Sequence, residues 1–402
     1  MKKIVLSAVI GAMPFVANAQ DKAPSVEEMW QLIQAQQAEI SKLKQQLNTT
    51  SVKVESLDVK VEATAEAVDS GAAFADNSLA AWAQKTSLGG YAEHHFNHFE
   101  DGDDQIDAHR YVLYIAHQFS DDIRFFSEFE LEHGVTGEGE PGEVELEQAY
   151  IQWDFHKNHS VQFGQFLIPV GIINETHEPD TFYGTERNRV ESEVLPATWW
   201  ETGIQLIGEV APGLTYNAAI HSGLEVPVDG GSAFRIRSGR QKSAEANAED
   251  LAFTGRLKYT GVPGLEVATS FQYQQEITQG AAADDAGAFL TTAHVAYQSE
   301  GFGFRALWAG WDIDGDDFED ADADSLEGWY IEPSYKINSK LGFFVRYSEW
   351  DRGNRTDRDF EAYDYGLNYW LYPTVVLKAD YTDSVGEGDE ADAFNLGVGW
   401  SF

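Results

Sequence analysis

The chain closes on AFNLGVGWSF, residues 393–402. Phe394, Leu396, Val398, Trp400 and Phe402 share one parity, while Asn395, Gly397, Gly399 and Ser401 share the other. A period of two with one apolar and one polar face is a β-strand bordering two different media. The same pattern recurs upstream. Val375, Leu377, Ala379 and Tyr381 alternate with Val376, Lys378 and Asp380, and Phe343, Val345 and Tyr347 alternate with Phe344, Arg346 and Ser348. Leu251, Phe253, Leu257 and Tyr259 alternate with Thr254, Arg256 and Lys258. Ile123, Phe125, Phe129 and Leu131 alternate with Arg124, Glu128, Glu130 and Glu132.

Read outward from these segments, residues 86–402 divide into sixteen expected strands: 87–96, 108–119, 122–132, 144–155, 159–170, 199–210, 214–222, 250–260, 265–274, 287–298, 301–311, 328–337, 341–350, 360–370, 374–382 and 393–402. The connections alternate in length. Tight ones (120–121, 156–158, 211–213, 261–264, 299–300, 338–340, 371–373) carry turn residues such as Ser120-Asp121 and Ala211-Pro212-Gly213. Long ones (97–107, 133–143, 171–198, 223–249, 275–286, 312–327, 351–359, 383–392) lie between them. A soluble β-sandwich or β-helix has no reason to alternate in this way. An outer-membrane barrel does, with short turns at one rim and long loops at the other. Lipid also requires closure, because an open sheet edge leaves backbone groups unsatisfied in hydrocarbon. The expected fold class is all-β, a 16-stranded antiparallel transmembrane β-barrel with an N-terminal α-helical coiled coil. Trp153, Trp329, Trp350, Trp370 and Trp400 near strand ends suggest interfacial aromatic girdles.

Composition narrows the function. Among 402 residues, Asp+Glu number 67 and Lys+Arg 27, for a net charge of −40. Nucleic-acid binding faces are basic, so that partner class is excluded. With no cysteine, disulfides, thiolate metal sites and thiol catalysis are excluded too. Residues 1–19 read as a signal peptide: Lys2 and Lys3, an apolar run from Ile4 to Val16, then Ala17-Asn18-Ala19. A heptad pattern follows within 20–68. Val26, Ile33, Ile40, Leu47, Val54, Val61 and Val68 occupy a, and Met29, Gln36, Leu43, Thr50, Leu57 and Thr64 occupy d. Such a seam favours a self-associating periplasmic coil over a single surface-lying helix. Residues 69–85 form a linker, and 86–402 the barrel.

Gly164-Gln165-Phe166 with Pro169-Val170-Gly171, then Glu186-Arg187-Asn188, then Pro196-Ala197-Thr198-Trp199-Trp200-Glu201-Thr202-Gly203, resemble the phosphate-selective porin family (the porin O/P type) of Gram-negative outer membranes. The terminal Trp400-Ser401-Phe402 resembles the aromatic signal read by the barrel-assembly machinery. The resemblance covers roughly 86–402. It implies a cell outer membrane location, a homotrimer, one pore per subunit, and a third loop folded into each lumen.

In a pore, selectivity comes from radius, lining charge and focused field. Loop 171–198, the longest, is the expected constriction, with Glu175, Glu178, Asp180, Glu186, Arg187 and Arg189 as its candidate residues. Arg110, Arg124, Arg256, Lys258, Arg305, Arg346 and Lys378 fall on or near the polar parity and form a candidate basic ladder for anions, unless they pair with acids such as Glu128, Glu130 or Asp380. The acids crowding Glu128, Glu130, Glu132, Glu145 and Glu147 argue for a general passive pore for small hydrophilic solutes, anions among them, over a phosphate-specific one. Asp312, Asp314 and Asp316 have a weak calcium-loop spacing, and the acid-rich segment 312–327 otherwise reads as a solvated rim facing lipopolysaccharide. No cofactor motif is present. No histidine joins a catalytic constellation, so an enzyme is not expected. A structural tether, with the coil gripping the periplasm or cell wall, is the alternative from another class.

Overall fold

A computed structural model describes residues 82–351, 360–385 and 392–402. The expected signal peptide, the coiled coil and all but the last four residues of the linker lie outside the described residues. The strands are β1 (Thr86–Phe99), β2 (Gln105–Gln118), β3 (Ile123–Glu132), β4 (Val144–His156), β5 (His159–Leu167), β6 (Trp200–Ala211), β7 (Leu214–His221), β8 (Ala252–Tyr259), β9 (Leu265–Gln274), β10 (Gly287–Ser299), β11 (Phe302–Asp314), β12 (Ser325–Lys336), β13 (Leu341–Trp350), β14 (Phe360–Tyr372), β15 (Val375–Val385) and β16 (Ala393–Ser401). Each pairs antiparallel with its chain neighbours, and β1 pairs with β16 to close the barrel. The closing register sets Tyr91 opposite Ser401 and Phe99 opposite Ala393. Phe402 exchanges backbone hydrogen bonds with Gly90 (2.9 and 3.0 Å), so the last residue completes the ladder.

The two faces are inverted relative to a soluble protein. Leu113, Phe129, Phe163, Phe253, Phe343 and Leu396 are exposed outward, while Gln162, Gln205, Thr254, Arg346, Asn368 and Asn395 are buried inward. That is the polarity a lipid-facing barrel requires. No described helix is long and apolar enough to cross a membrane, so any crossing is made by strands.

Two expectations are corrected by side-chain parity. Trp350 and Trp370 are buried on the inner face, not in an outer girdle: Trp350 stacks on Phe360, and Trp370 packs edge-on against Tyr183. The first long connection shrinks to 100–104, because β1 and β2 continue pairing to Asn97 and Gln105.

The long loops turn inward. Val170, Val194, Trp199, Leu224, Trp311 and Phe318 belong to one buried apolar cluster, drawn from the loops after β5, β7 and β11 and from the inner wall. Each such side chain contributes about 1.5–3 kcal/mol when fully buried. That contribution opposes the entropy cost of ordering long loops. The cluster packs these loops against inner-face residues of the wall such as Ala219, Leu290, Leu307, Tyr330, Trp350 and Ala362.

Candidate functional site

Loop 168–199 runs across the bore, and each stretch of it is tied to a different part of the wall. At its start Asn174 Nδ2 donates to the carbonyls of Ile168 (2.7 Å) and Trp199 (2.9 Å), and Asn174 Oδ1 accepts from Trp199 N (2.7 Å), so one side chain clamps the loop's two ends together. Glu175 accepts both guanidinium nitrogens of Arg256 on β8. His177 lies between Glu128 of β3 (3.5 Å) and Glu147 of β4 (3.3 Å). Glu178 accepts from Tyr114 of β2 (3.4 Å), and Asp180 from Ser401 of β16 (2.7 Å). The carbonyls of Thr181, Phe182 and Tyr183 accept from Arg305, Asn368 and Arg346. Thr185 N donates to Asp380 of β15 (2.6 Å), and Glu186 accepts from His95 Nδ1 and Asn97 Nδ2 of β1, both at 3.0 Å. Near the far end, Glu191 accepts from Ile172 N, Ile173 N and the Tyr330 hydroxyl at 2.7, 2.6 and 2.7 Å.

The candidate bases do not form one column. Arg110 sits among acids, 2.7 Å from Glu93 and 3.7 Å from Glu130. Arg124 pairs with Asp154 (2.6 Å) beside the first tight turn. Lys258 approaches Glu266 (3.8 Å), and Arg346 binds Glu332 (2.7 Å) and Asp364 (3.3 Å). Lys378 Nζ lies 3.6 Å above the Phe182 ring centroid and makes no hydrogen bond. Arg187 reaches Thr198 Oγ1 through Nη1 (2.7 Å), leaving its buried Nε and Nη2 without hydrogen bonds. Most of the bases thus meet a wall acid or a carbonyl of the crossing loop.

Asp312, Asp314 and Asp316 do not converge. The strand β11 continues through Asp314, which keeps Asp312 and Asp314 in extended chain, both exposed, with Asp316 beginning a short helix, Asp316–Asp320.

Two cavities lie on either side of the loop tip. One, about 560 Å³, opens toward the tight-turn rim and is lined by Asp180–Tyr183 together with Glu266, Arg305, Glu332 and Lys336. The other, about 530 Å³, opens toward the long loops and is lined by Gly184, Glu186, Arg187 and Arg189 with His95, Asp107, Arg346, Asp364 and Asp380. In the second, Asp107 Oδ2 is shared by His109 (3.2 Å) and His133 (2.8 Å), and His95 stacks on His109 at 4.4 Å between centroids. A bulge opposite His94 brings His109 inward beside Arg110. Sequence parity missed this histidine group, because a bulge resets parity without changing composition.

A second arginine group comes from the loop 222–251. Arg237 Nη1 donates to the carbonyls of Ser192 and Ala197, both at 2.7 Å, and Arg240 Nη1 to that of Thr198 (2.5 Å). Burial, reinforced by the neighbouring charge of Arg240, pushes the Arg237 guanidinium down to about 10, where it is still charged at neutral pH. Burial also lowers Arg240, against the opposing pull of Glu145, Glu132, Glu147 and Glu143. Arginines on the inner loops therefore confront acids at the β3–β4 wall. Enclosure alone would raise the Glu186 carboxyl, but the His95 and Asn97 hydrogen bonds outweigh it and hold it at about 2.

A closed sixteen-strand barrel with an apolar exterior, a polar lumen and a loop tied across it defines an outer-membrane channel of the porin class. Residues 89–393 match the family described as phosphate-selective porin O and P, and the chain belongs to that family. An uncharacterised protein of Aquifex aeolicus is 28% identical over 354 residues, covering 79% of this chain and 80% of that one. Among solved structures, OmpF of Salmonella typhi (13% identical, TM-score 0.56, 79% of this chain and 97% of that one) and the outer-membrane channel DcaP of Acinetobacter baumannii (12%, 0.54, 79% and 97%) share the fold. So does OmpT of Vibrio cholerae in a trimer form (11%, 0.54, 79% and 99%). The protein is located in the outer membrane, and its family and fold point to a channel rather than an enzyme.

Proposed function

We propose that the chain is a passive diffusion porin for small hydrophilic solutes, with loop 168–199 as its constriction and the two cavities as vestibules of one water path. The observation that carries this reading is the placement of the loop tip: residues 180–183 line the cavity on one side, and Gly184, Glu186, Arg187 and Arg189 the cavity on the other. Asp180, Glu186, Arg187 and Arg189 are then constriction residues, Glu175 and Glu178 tie the loop to the wall, and the inner-loop arginines facing the β3–β4 acids set a field across the path that orients polar solutes. Homotrimeric assembly is part of the proposal, supported by the trimer form of the Vibrio cholerae neighbour.

Phosphate selectivity is not part of it. The long-loop vestibule carries Asp101, Asp107, Glu186, Asp364 and Asp380 against Arg187, Arg189 and Arg346. The other carries Asp180, Glu266 and Glu332 against Arg305 and Lys336. Acids outnumber arginines and lysines in both, and a desolvated phosphate needs the reverse. Single-channel recording under a salt gradient tests this. The expected reversal potential is near zero or cation-leaning, with chloride current unaffected by millimolar phosphate. An anion-selective reversal with phosphate block would instead make Arg187 and Lys378 phosphate handles.

A further inference from the structure

At the point where loop 168–199 meets the β3–β4 wall, Glu128, Glu147 and His177 bring one ligand atom each within 4.8 Å of one another, and all three residues are buried. His177 Nε2 lies 3.3 Å from Glu147 Oε2 and 3.5 Å from Glu128 Oε1. Neither His177 Nε2 nor Glu147 Oε2 makes a hydrogen bond, although both atoms are shut off from solvent. In a native interior such atoms have a partner.

The surroundings fix each ligand. His177 Nδ1 faces the Asn174 carbonyl at 3.2 Å, an acceptor that obliges Nδ1 to carry the proton and leaves the Nε2 lone pair pointing at the carboxylates. Gln148 Nε2 holds the second oxygen of Glu128 at 2.7 Å, and the Tyr91 hydroxyl stands 3.5 Å from the first. Glu147 is aimed inward by a bulge: Glu128 pairs with Gln148 and Phe129 with Leu146, so Glu147 is the extra residue. This is the support that metal ligands receive from their outer partners.

The local charge asks for a cation. Glu93, Glu128, Glu130 and Glu147 are all at most 2% exposed. Arg110 is close to Glu93 and Glu130, and the ion pairs of Glu128 and Glu147 are with His177. A proton on His177 leaves this triad net negative, whereas a divalent ion bound to neutral His177 balances it. The 3.3 and 3.5 Å edges also match the ligand spacing around a tetrahedral ion, about 3.4 Å for bonds of about 2.1 Å.

We infer that Glu128, Glu147 and His177 form a binding site for a divalent first-row transition ion of the zinc class, which staples the constriction loop to the barrel wall. One imidazole and two carboxylates suit that class, whereas an all-oxygen set would suit calcium or magnesium. The Asp107, His109 and His133 group in the vestibule is a weaker candidate, because Arg110 donates to His109 Nε2 at 2.8 Å and commits the proton to the Nδ1 that would have to bind.

The test uses the purified full-length oligomer, stripped with chelator and titrated with Zn2+ and with Co2+ at pH 7.5. One ion per chain is expected, with a Co2+ absorption spectrum of low coordination number. Glu147→Gln, close in shape to the native residue, weakens uptake by at least about tenfold, and His177→Ala does the same, while His133→Ala leaves it intact. Chelation of the wild type increases current noise in single channels by releasing the loop. No stoichiometric uptake by the wild type overturns the proposal and leaves His177 as a protonated bridge, a result that needs no variant to fold. Uptake lost in His133→Ala but kept in Glu147→Gln overturns it as well, by placing the ion in the vestibule.

Discussion

At the scale of the residue, the glycines of the closing strand have a reason that periodicity alone does not supply. A Cβ on Gly399 would lie 2.4 Å from Cβ of Pro179, and one on Gly397 would lie 3.0 Å from Cγ2 of Thr185, so the crossing loop rests directly on β16. Proline cannot swing aside as a flexible side chain can. Gly399→Ala is therefore expected to leave barrel assembly intact, judged by heat-modifiable migration on gels, while displacing the loop and changing single-channel conductance. Unchanged conductance would mean that this contact does not set the pore. Glu191 is the loop's other anchor. Its carboxylate serves two backbone N–H groups and a tyrosine hydroxyl, all buried. Hydrogen bonds to a charged acceptor contribute about 1.5–3 kcal/mol each, and orphaned buried donors add a penalty. Glu191→Ala should thus weaken docking by on the order of 3 kcal/mol or more, seen as protease cleavage within 168–199 of an otherwise resistant barrel.

At the scale of the element, the crossing loop is held from above as well as from the wall. Arg237 caps two of its carbonyls, and Arg240 a third. Arg237→Ala removes both caps and should raise open-channel noise, with Arg237→Lys restoring less than full quiet because a lysine lacks the planar fork. The contact of Glu186 with β1 gives a signed pH dependence. Its carboxyl is depressed from the ordinary 4.5 to about 2, so its contribution to docking is complete above pH 4.5 and is lost as pH falls through about 2. Conductance of the wild type should hold steady down to about pH 3 and change below it, and Glu186→Gln should show the altered level already at neutral pH. A step centred near pH 4.5 would show that His95 and Asn97 do not hold the carboxylate. The sixteen strands were legible because a period of two persists wherever one face meets lipid and the other water, as in Phe343–Ser348. The path of 168–199 was not, since its partners are up to 221 residues away (Asp180 to Ser401) and leave no local pattern. The inward aim of Glu147 and His109 was hidden by bulges. The inward turn of Trp350 and Trp370 was readable from parity, but nearness to strand ends pointed the other way.

At the scale of the whole molecule, the excess of acid is a property of rims and vestibules together. A net charge of −40 by itself would not decide selectivity, because exposed charges beyond a Debye length are screened. Vestibule charges within low-dielectric walls are screened less, so the expected preference for cations should be strongest in dilute salt and fade as salt rises. The heptads at 26–68 operate at this scale too. In the coil expected from the sequence, seven apolar a positions would give each helix a seam it cannot bury alone, and the proposed trimer would supply its partners. Deleting 26–68 removes that seam while leaving untouched every contact of the crossing loop described above. The truncated oligomer should therefore dissociate at a lower temperature in mild detergent, while the conductance of each pore and its reversal potential stay at the wild-type values. A change in conductance per pore would mean that the segment reaches the water path. An oligomer as heat-resistant as the full chain would place the association energy in the barrel walls instead of the coil.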